Sequence, residues 1–180
     1  MLKTRLSRLV PSVHRALREA LERAERKRAQ EAHQRSEAYL AAAQRLSRTG
    51  SFGWNLSSGE IYWSEETFRI FEFDPSAKVT INLVFERTHP DDKPGLQQLI
   101  DRVSRDRKEF DFEHRLLMPD ESVKHLRVVG SPAQTESGGF EFVGAVTDIT
   151  EHKRAQEDLQ KAIHEIKKLK DQLFEENVAL

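Results

Sequence analysis

The alternation of apolar and polar positions divides the chain into a helical stretch, a β-rich stretch and a second helical stretch. From Ser12 to about Ser47 there is no Gly or Pro while Ala, Leu, Arg, Glu and Gln dominate, which predicts one long helix. Pro11 fits its first turn, where a missing N–H costs nothing. Val10, Val13, Leu17, Ala20 and Ala24 fall on a heptad seam that Lys27, Glu31 and Gln34 then interrupt, so helix pairing there is expected to be weak or adjustable.

The helix is expected to end at Thr49-Gly50-Ser51, after which the period becomes two. Phe52, Trp54 and Leu56 alternate with Gly53 and Asn55, and Ser57-Ser58-Gly59 makes a turn into Ile61-Tyr62-Trp63, a β-hairpin. Ser64-Glu65-Glu66-Thr67 supplies an N-cap hydroxyl and first-turn acids for a short helix that runs to about Phe73 and stops near Asp74-Pro75. Thr80 to Thr88 reads as a short apolar helix or turn. His89-Pro90-Asp91-Asp92 opens a longer helix through Leu96, Leu99, Ile100 and Val103.

Three strands follow. Phe110 to Met118 carries Phe110, Phe112, His114 and Leu116 on one face, Pro119-Asp120-Glu121-Ser122 turns into Val123 to Pro132, and Ser137-Gly138-Gly139 turns into Phe140 to Asp148. The last strand passes through Asp148-Ile149-Thr150 into a helix with no Gly or Pro at the join. Asp148 is placed to cap that helix, Glu151 has a capping-box-like spacing, and Thr150 adds a hydroxyl, so these three are the candidate transmission residues. Beyond them Leu159, Ile166, Leu173 and Leu180 recur as a positions and Ala155, Ala162, Leu169 and Glu176 as d positions, the seam of a parallel coiled coil and hence of a parallel homodimer.

Composition separates the same three segments. Residues 1–50 carry 12 Lys/Arg against 5 Asp/Glu, residues 51–150 carry 11 against 18, and residues 151–180 carry 6 against 7. With 33% charged and 37% hydrophobic residues in 180, the chain holds one ordinary core plus solvated helices. We divide it into a linker helix, 1–47, a globular domain, 48–150, and a C-terminal helix, 151–180. The basic excess of the first segment is interleaved with Glu19, Glu22, Glu25 and Glu31 and accompanies no base-reading motif, so a solvated helix face is expected rather than direct nucleic-acid binding. No apolar run approaches the roughly 20 residues that span a bilayer and no signal-peptide block opens the chain, which predicts a cytoplasmic protein without membrane contact. The absence of cysteine removes disulfides, thiolate metal sites, covalent c-type haem and a cysteinyl nucleophile. There is no nucleophile with a base at motif spacing, no phosphate loop and no metal-spaced triad, so neither catalysis nor a metal is expected.

The element order, together with GSFGWNLSSGEIYWSEETFRIFEFDP, THPDD, FEHRLLMPDESVKHLRV and VGAVTDITEHKRAQEDL, resembles a PAS sensory domain of the bacterial signalling type over about residues 48 to 152. The resemblance implies an α+β fold: a five-stranded antiparallel sheet of order 2-1-5-4-3 with short helices over one face around a possible ligand cavity, here with long flanking helices forming coiled coils. One departure is Glu121, where the family usually has Gly at the tip of its turn. If that position needs a positive φ, Glu strains it by about 1 kcal/mol.

SRLVPSVHRALREALERAERKRAQE resembles the tail of a receiver domain running into a linker, and KLKDQLFEENVAL is similar to the linker before the ATPase domain of some transcription activators. The implied setting is a two-component or transcription-regulating protein with a receiver-like domain upstream and an effector downstream. The expected function is a sensory and signal-relay module that converts ligand or upstream input into coiled-coil rearrangement; the alternative is a ligand-free dimerisation spacer.

For the cavity that the resemblance implies, Trp63, Phe68, Phe71, Phe85, Leu99, Phe112 and His114 are the candidate lining residues, with Trp54 beside them, although a domain this size also needs its aromatics as core. No cofactor is expected. The light-sensing flavin branch needs a cysteine for its photoadduct, which this chain lacks, and non-covalent flavin is disfavoured. Haem is not expected either, because no His falls between Lys93 and Lys108. His89 reads as a capping residue, His125 is a weaker candidate, and a lone His such as His114 serves more often as a hydrogen-bonded core residue than as a ligand. Glu113 and Arg115, on the opposite face of their strand, read as ion-pairing residues.

Overall fold

A computed structural model describes residues 3–134 and 138–178, with side chains described for 14–134 and 138–174. Helix α1 is Lys3–Ser47, and the chain divides into two units between Ala43 and Gln44. As its composition predicts, α1 is one uninterrupted helix, but it starts at Lys3, so Pro11 lies inside it rather than in the expected first turn. From residue 14 to Ala43 its side chains lie exposed, Leu17, Leu21 and Leu40 among them. Val10 and Val13 lie outside the residues whose side chains are described.

The second unit is built on β1 (Thr49–Asn55), β2 (Ile61–Trp63), β3 (Phe110–Leu117), β4 (Val123–Gln134) and β5 (Phe140–Asp148). All neighbours pair antiparallel in the order β2-β1-β5-β4-β3, the order the resemblance implies. Thr49-Gly50-Ser51 is not a helix stop but the first part of β1. Arg48, at φ 50°, ends α1, and Thr49, Gly50 and Ser51 pair with Thr147, Val146 and Ala145, with the Thr49 and Thr147 hydroxyls 3.1 Å apart. Strand pairing outweighs the local turn composition here. Pro132 does not end β4, because β3 stops opposite Gly130 and leaves that side of β4 without a partner strand.

Helices α2 (Glu65–Phe71) and α3 (Ile81–Arg87) start at side-chain caps, whereas α4 (Lys93–Asp106) follows Asp92, whose side chain makes no cap hydrogen bond. The Ser64 and Thr80 side chains accept from Thr67 N and Leu83 N. Helix α2 ends two residues before the expected Phe73, since Glu72 turns left-handed at φ 54° and Phe73 N donates back to Phe68 O. His89 acts as the anticipated cap, its Nδ1 accepting from Asp91 N at the 3-10 turn Pro90–Asp92. The core lies between these helices and one face of the sheet, with Leu116, Leu126 and Phe142 fully buried at its centre.

The β3–β4 turn puts Glu121 at φ 65°, the left-handed region in which an L side chain is strained. Replacing Glu121 with Gly is expected to stabilise the domain by about 1 kcal/mol, read as a higher urea midpoint at unchanged slope. An unchanged or lower midpoint would remove the strain argument. Helix α5 (Thr150–Val178) continues directly from β5, and from residue 154 to 174 its side chains are exposed.

Candidate functional site

The second unit holds two candidate arrangements: a cavity inside the core and the joint where β5 becomes α5. The cavity is about 90 Å³. Alternate positions of the strands point inward, so β1 contributes Phe52 and Trp54 and β3 contributes Phe110, Phe112 and His114. Helix α4 closes it with Leu96, Leu99 and Val103, spaced three and four apart on one face. Of the lining residues anticipated from sequence, Trp54, Trp63, Phe71, Leu99, Phe112 and His114 do line it.

Phe68 and Phe85 do not. Phe68 meets Trp63 edge-on, with centroids 5.4 Å apart and planes at 72°, and lines a separate groove that Trp63 also borders, whereas Phe71 stacks on Trp63 at 4.5 Å. Phe85 packs against the core, while Ile81 and Val84 supply the cavity face of α3.

His114 is only 5% exposed, and neither of its ring nitrogens has a hydrogen-bond partner. The expectation of a hydrogen-bonded core histidine is therefore corrected. Its neighbours on the inward face are apolar, and its ring lies against Phe112, centroids 5.5 Å apart. Burial pulls its pKa down to about 4, against the weaker opposing pull of the Asp92 charge, so the imidazole is neutral at physiological pH.

The adjoining Glu113 and Arg115 face the other way, and each pairs with a different element. The Arg115 side chain donates to both Asp92 oxygens, through Nε at 3.0 Å and Nη2 at 2.7 Å, and its backbone N–H donates to Asp92 Oδ2 at 2.7 Å. These hydrogen bonds hold the Asp92 pKa down to about 2 and tie the start of α4 to β3. Glu113 Oε2 lies 2.6 Å from Lys153 Nζ in the first turn of α5.

At the joint, Asp148 Oδ1 accepts from Thr150 N at 2.9 Å and from the Thr150 hydroxyl at 2.5 Å. The same hydroxyl accepts from His125 N at 2.8 Å, and Ile149 N donates to His125 O at 2.9 Å, so β4 continues to pair as the chain leaves the sheet. Glu151 does not close a capping box. Its carboxylate is engaged by Arg48 Nη1 at 2.6 Å, and Asp148 N, which a box would use, donates to Arg48 O. The end of α1, the end of β5 and the start of α5 thus meet in one polar cluster.

The contacts that sequence reasoning missed are the Lys153–Glu113 pair, the part played by His125, and the facing glycines Gly130 and Gly144 beneath the Phe52 and Phe110 rings. Only the glycines left a local signal, since an isolated Gly inside a strand pattern often marks a close backbone approach.

Residues 60–147 match the family model described as the PAS fold. The chain contains a PAS domain. Over 136 residues it is 24% identical to the probable diguanylate cyclase DgcE of Escherichia coli strain K12, a match covering 75% of this chain but only 12% of that protein's length. The PAS fold also aligns with the sensory box histidine kinase/response regulator of Burkholderia thailandensis E264 at TM-score 0.54 and 21% identity, covering 72% of this chain and 98% of that one. With the N-terminal domain of a diguanylate cyclase with PAS/PAC sensor from Marinobacter aquaeolei the TM-score is 0.52 at 16% identity, covering 58% of this chain and 98% of that one.

In this PAS domain the cavity lies between the helices and the sheet, and its one ionisable lining residue, among the described residues, is a single strand position from the Glu113–Lys153 pair. No described helix is long and apolar enough to cross a membrane, and no described group of three His or carboxylate side chains is arranged to hold a metal ion.

Proposed function

We propose that the chain is a sensory and signal-relay module of a bacterial signalling protein, in which the state of the PAS core sets the pairing of α5 helices from two copies. The observation that carries this reading is the joint itself: Thr150 is bound at once to β4 through His125 N and to β5 through Asp148, and the same first turn of α5 is tied to β3 through Lys153. A change in strand position at the cavity therefore has a short route of hydrogen bonds and ion pairs to the start of α5.

The output surface is the α5 stripe. Leu159, Ile166, Leu169 and Leu173 are each more than half exposed in the single chain, with Ala162 and Ile163 beside them, and a second parallel copy would cover them. Leu180 lies outside the described residues. In this reading 1–47 is a linker helix, 48–150 the sensor and 151–180 the output helix. A receiver-like domain lies upstream and an effector downstream in a two-component, transcription-regulating protein of the cytoplasm, and the module carries no reaction of its own.

Thr150→Val tests the relay. Loss of the hydroxyl removes one acceptor and one donor at the joint and is expected to cost the sheet about 1 kcal/mol, while amide exchange through the first turns of α5 accelerates about tenfold more than in the sheet. Equal acceleration in sheet and helix would argue against a specific joint. A second reading, a dimerisation spacer without chemical input, draws on the small size of the cavity and predicts no saturable ligand.

A further inference from the structure

We propose that the cavity takes a small neutral molecule with an apolar body and a single hydroxyl group, held by a hydrogen bond with the His114 imidazole. This rests on the sensor reading above and specifies its input. The first argument is volume. About 90 Å³ is well under the 300 to 1,000 Å³ of pockets that hold drug-sized molecules. Because an apolar cavity of about 150 Å³ accepts benzene, the space here suits a body of about four or five non-hydrogen atoms. A porphyrin or an isoalloxazine ring would have to displace several core side chains.

The second argument is polarity. Trp63, Leu99, Val103, Phe110 and Val128 present hydrocarbon and ring faces, so water filling the space would find too few partners. The one group that asks for a partner is His114, buried with both nitrogens unpaired. A neutral imidazole presents one N–H donor and one lone-pair acceptor, and a hydroxyl is the smallest group that satisfies either. Leaving such a side chain unpaired is costly, and an apolar residue of similar size would avoid the cost, which points to a partner that arrives from outside the chain.

The third argument is charge. Arg115 and Asp92 are committed to each other, Glu113 is committed to Lys153, and none of these four lines the cavity. An ammonium there would be desolvated without compensation, and a carboxylate could be met only by protonating a histidine whose burial opposes the charge, so a neutral ligand is favoured over either.

The experiment uses the whole chain and three probes of one skeleton: isobutanol, isopentane with methyl in place of hydroxyl, and isobutyrate. Binding is followed by the methyl resonances of Leu99 and Val103 and by the ring ¹⁵N shifts of His114. Isobutanol is expected to move the methyl signals saturably and to shift one His114 ring nitrogen, and isobutyrate to move neither. In His114→Leu the preference for isobutanol over isopentane is expected to fall about tenfold, and in His114→Gln, which keeps a donor and an acceptor, to be largely retained.

An unchanged preference in His114→Leu, binding of isobutyrate, or no saturable binding by any probe would overturn the proposal. An amide spectrum with the wild-type pattern shows that each variant is folded. Failure of the relay reading is read separately: isobutanol binding that leaves the α5 amide resonances unmoved overturns the relay and leaves the ligand assignment standing.

Discussion

Replacing Gly144 with alanine is expected to destabilise the domain by about 3 kcal/mol, the upper end of the cost of inserting atoms into a well-packed interior. Gly144 stands opposite Phe52 on β1 and Gly130 on β4. A Cβ built on it would lie 2.1 Å from the Val129 carbonyl oxygen and 2.6 Å from a Phe52 ring carbon. The carbonyl belongs to the sheet ladder and cannot give way cheaply, so either the β4–β5 pairing opens or the Phe52 ring leaves its seat. The facing Gly130 has the Phe110 ring over it, with the two aromatic centroids 6.4 Å apart. The glycine pair is therefore the floor on which two cavity-lining rings rest. Urea unfolding measures the effect, and a loss below about 1 kcal/mol would show that the sheet absorbs the extra methyl and that the close approach is not structural.

His114→Leu is expected to act in the opposite direction, raising stability near pH 7 by about 1 to 3 kcal/mol because it removes a buried side chain whose two nitrogens are unsatisfied. It is also expected to change the pH dependence. The histidine is protonated near pH 6.5 in the unfolded chain but only near 4 in the fold, where burial opposes the charge. Between those values the unfolded state binds more protons, so the fold loses stability as pH falls from about 6.5 to about 4, by roughly 3 kcal/mol in all. Below that window both states carry the proton and the loss stops. Asp92, held down to about 2 by Arg115, contributes stability that is lost only at lower pH, from about 3.8 downward, and leaves the two windows distinct. Urea midpoints at pH 7, 5.5 and 4 should converge less steeply in His114→Leu than in the wild type. Parallel slopes would mean that some other group carries the acid sensitivity.

The elements were legible in the sequence where a local rule decides them. Ser64 and His89 cap where they were expected to, and the period-two runs from Phe52 and Phe110 become strands. What was not legible depends on partners distant in the chain. Nothing near His114 shows that its nitrogens lack partners, and no spacing rule joins Glu113 to Lys153 or sends Arg115 to Asp92. Thr49-Gly50-Ser51 reads locally as a stop and becomes strand only because Thr147, Val146 and Ala145 lie beside it. Phe68 and Phe71, three positions apart on one short helix, meet Trp63 differently and line different pockets, a distinction that periodicity in seven residues is too coarse to make.

The central claim is that the joint at Thr150 sets how two α5 helices pair. Because the chain has no cysteine, Lys170→Cys introduces one unique thiol on the exposed surface of α5, and a nitroxide attached there reports the distance between two copies by pulsed electron resonance. The account predicts a narrow distance distribution in the otherwise wild-type chain and a shifted or broadened one when Thr150→Val is added, with the sheet still folded. Superimposable distributions, or no distance between labels at all, would contradict it.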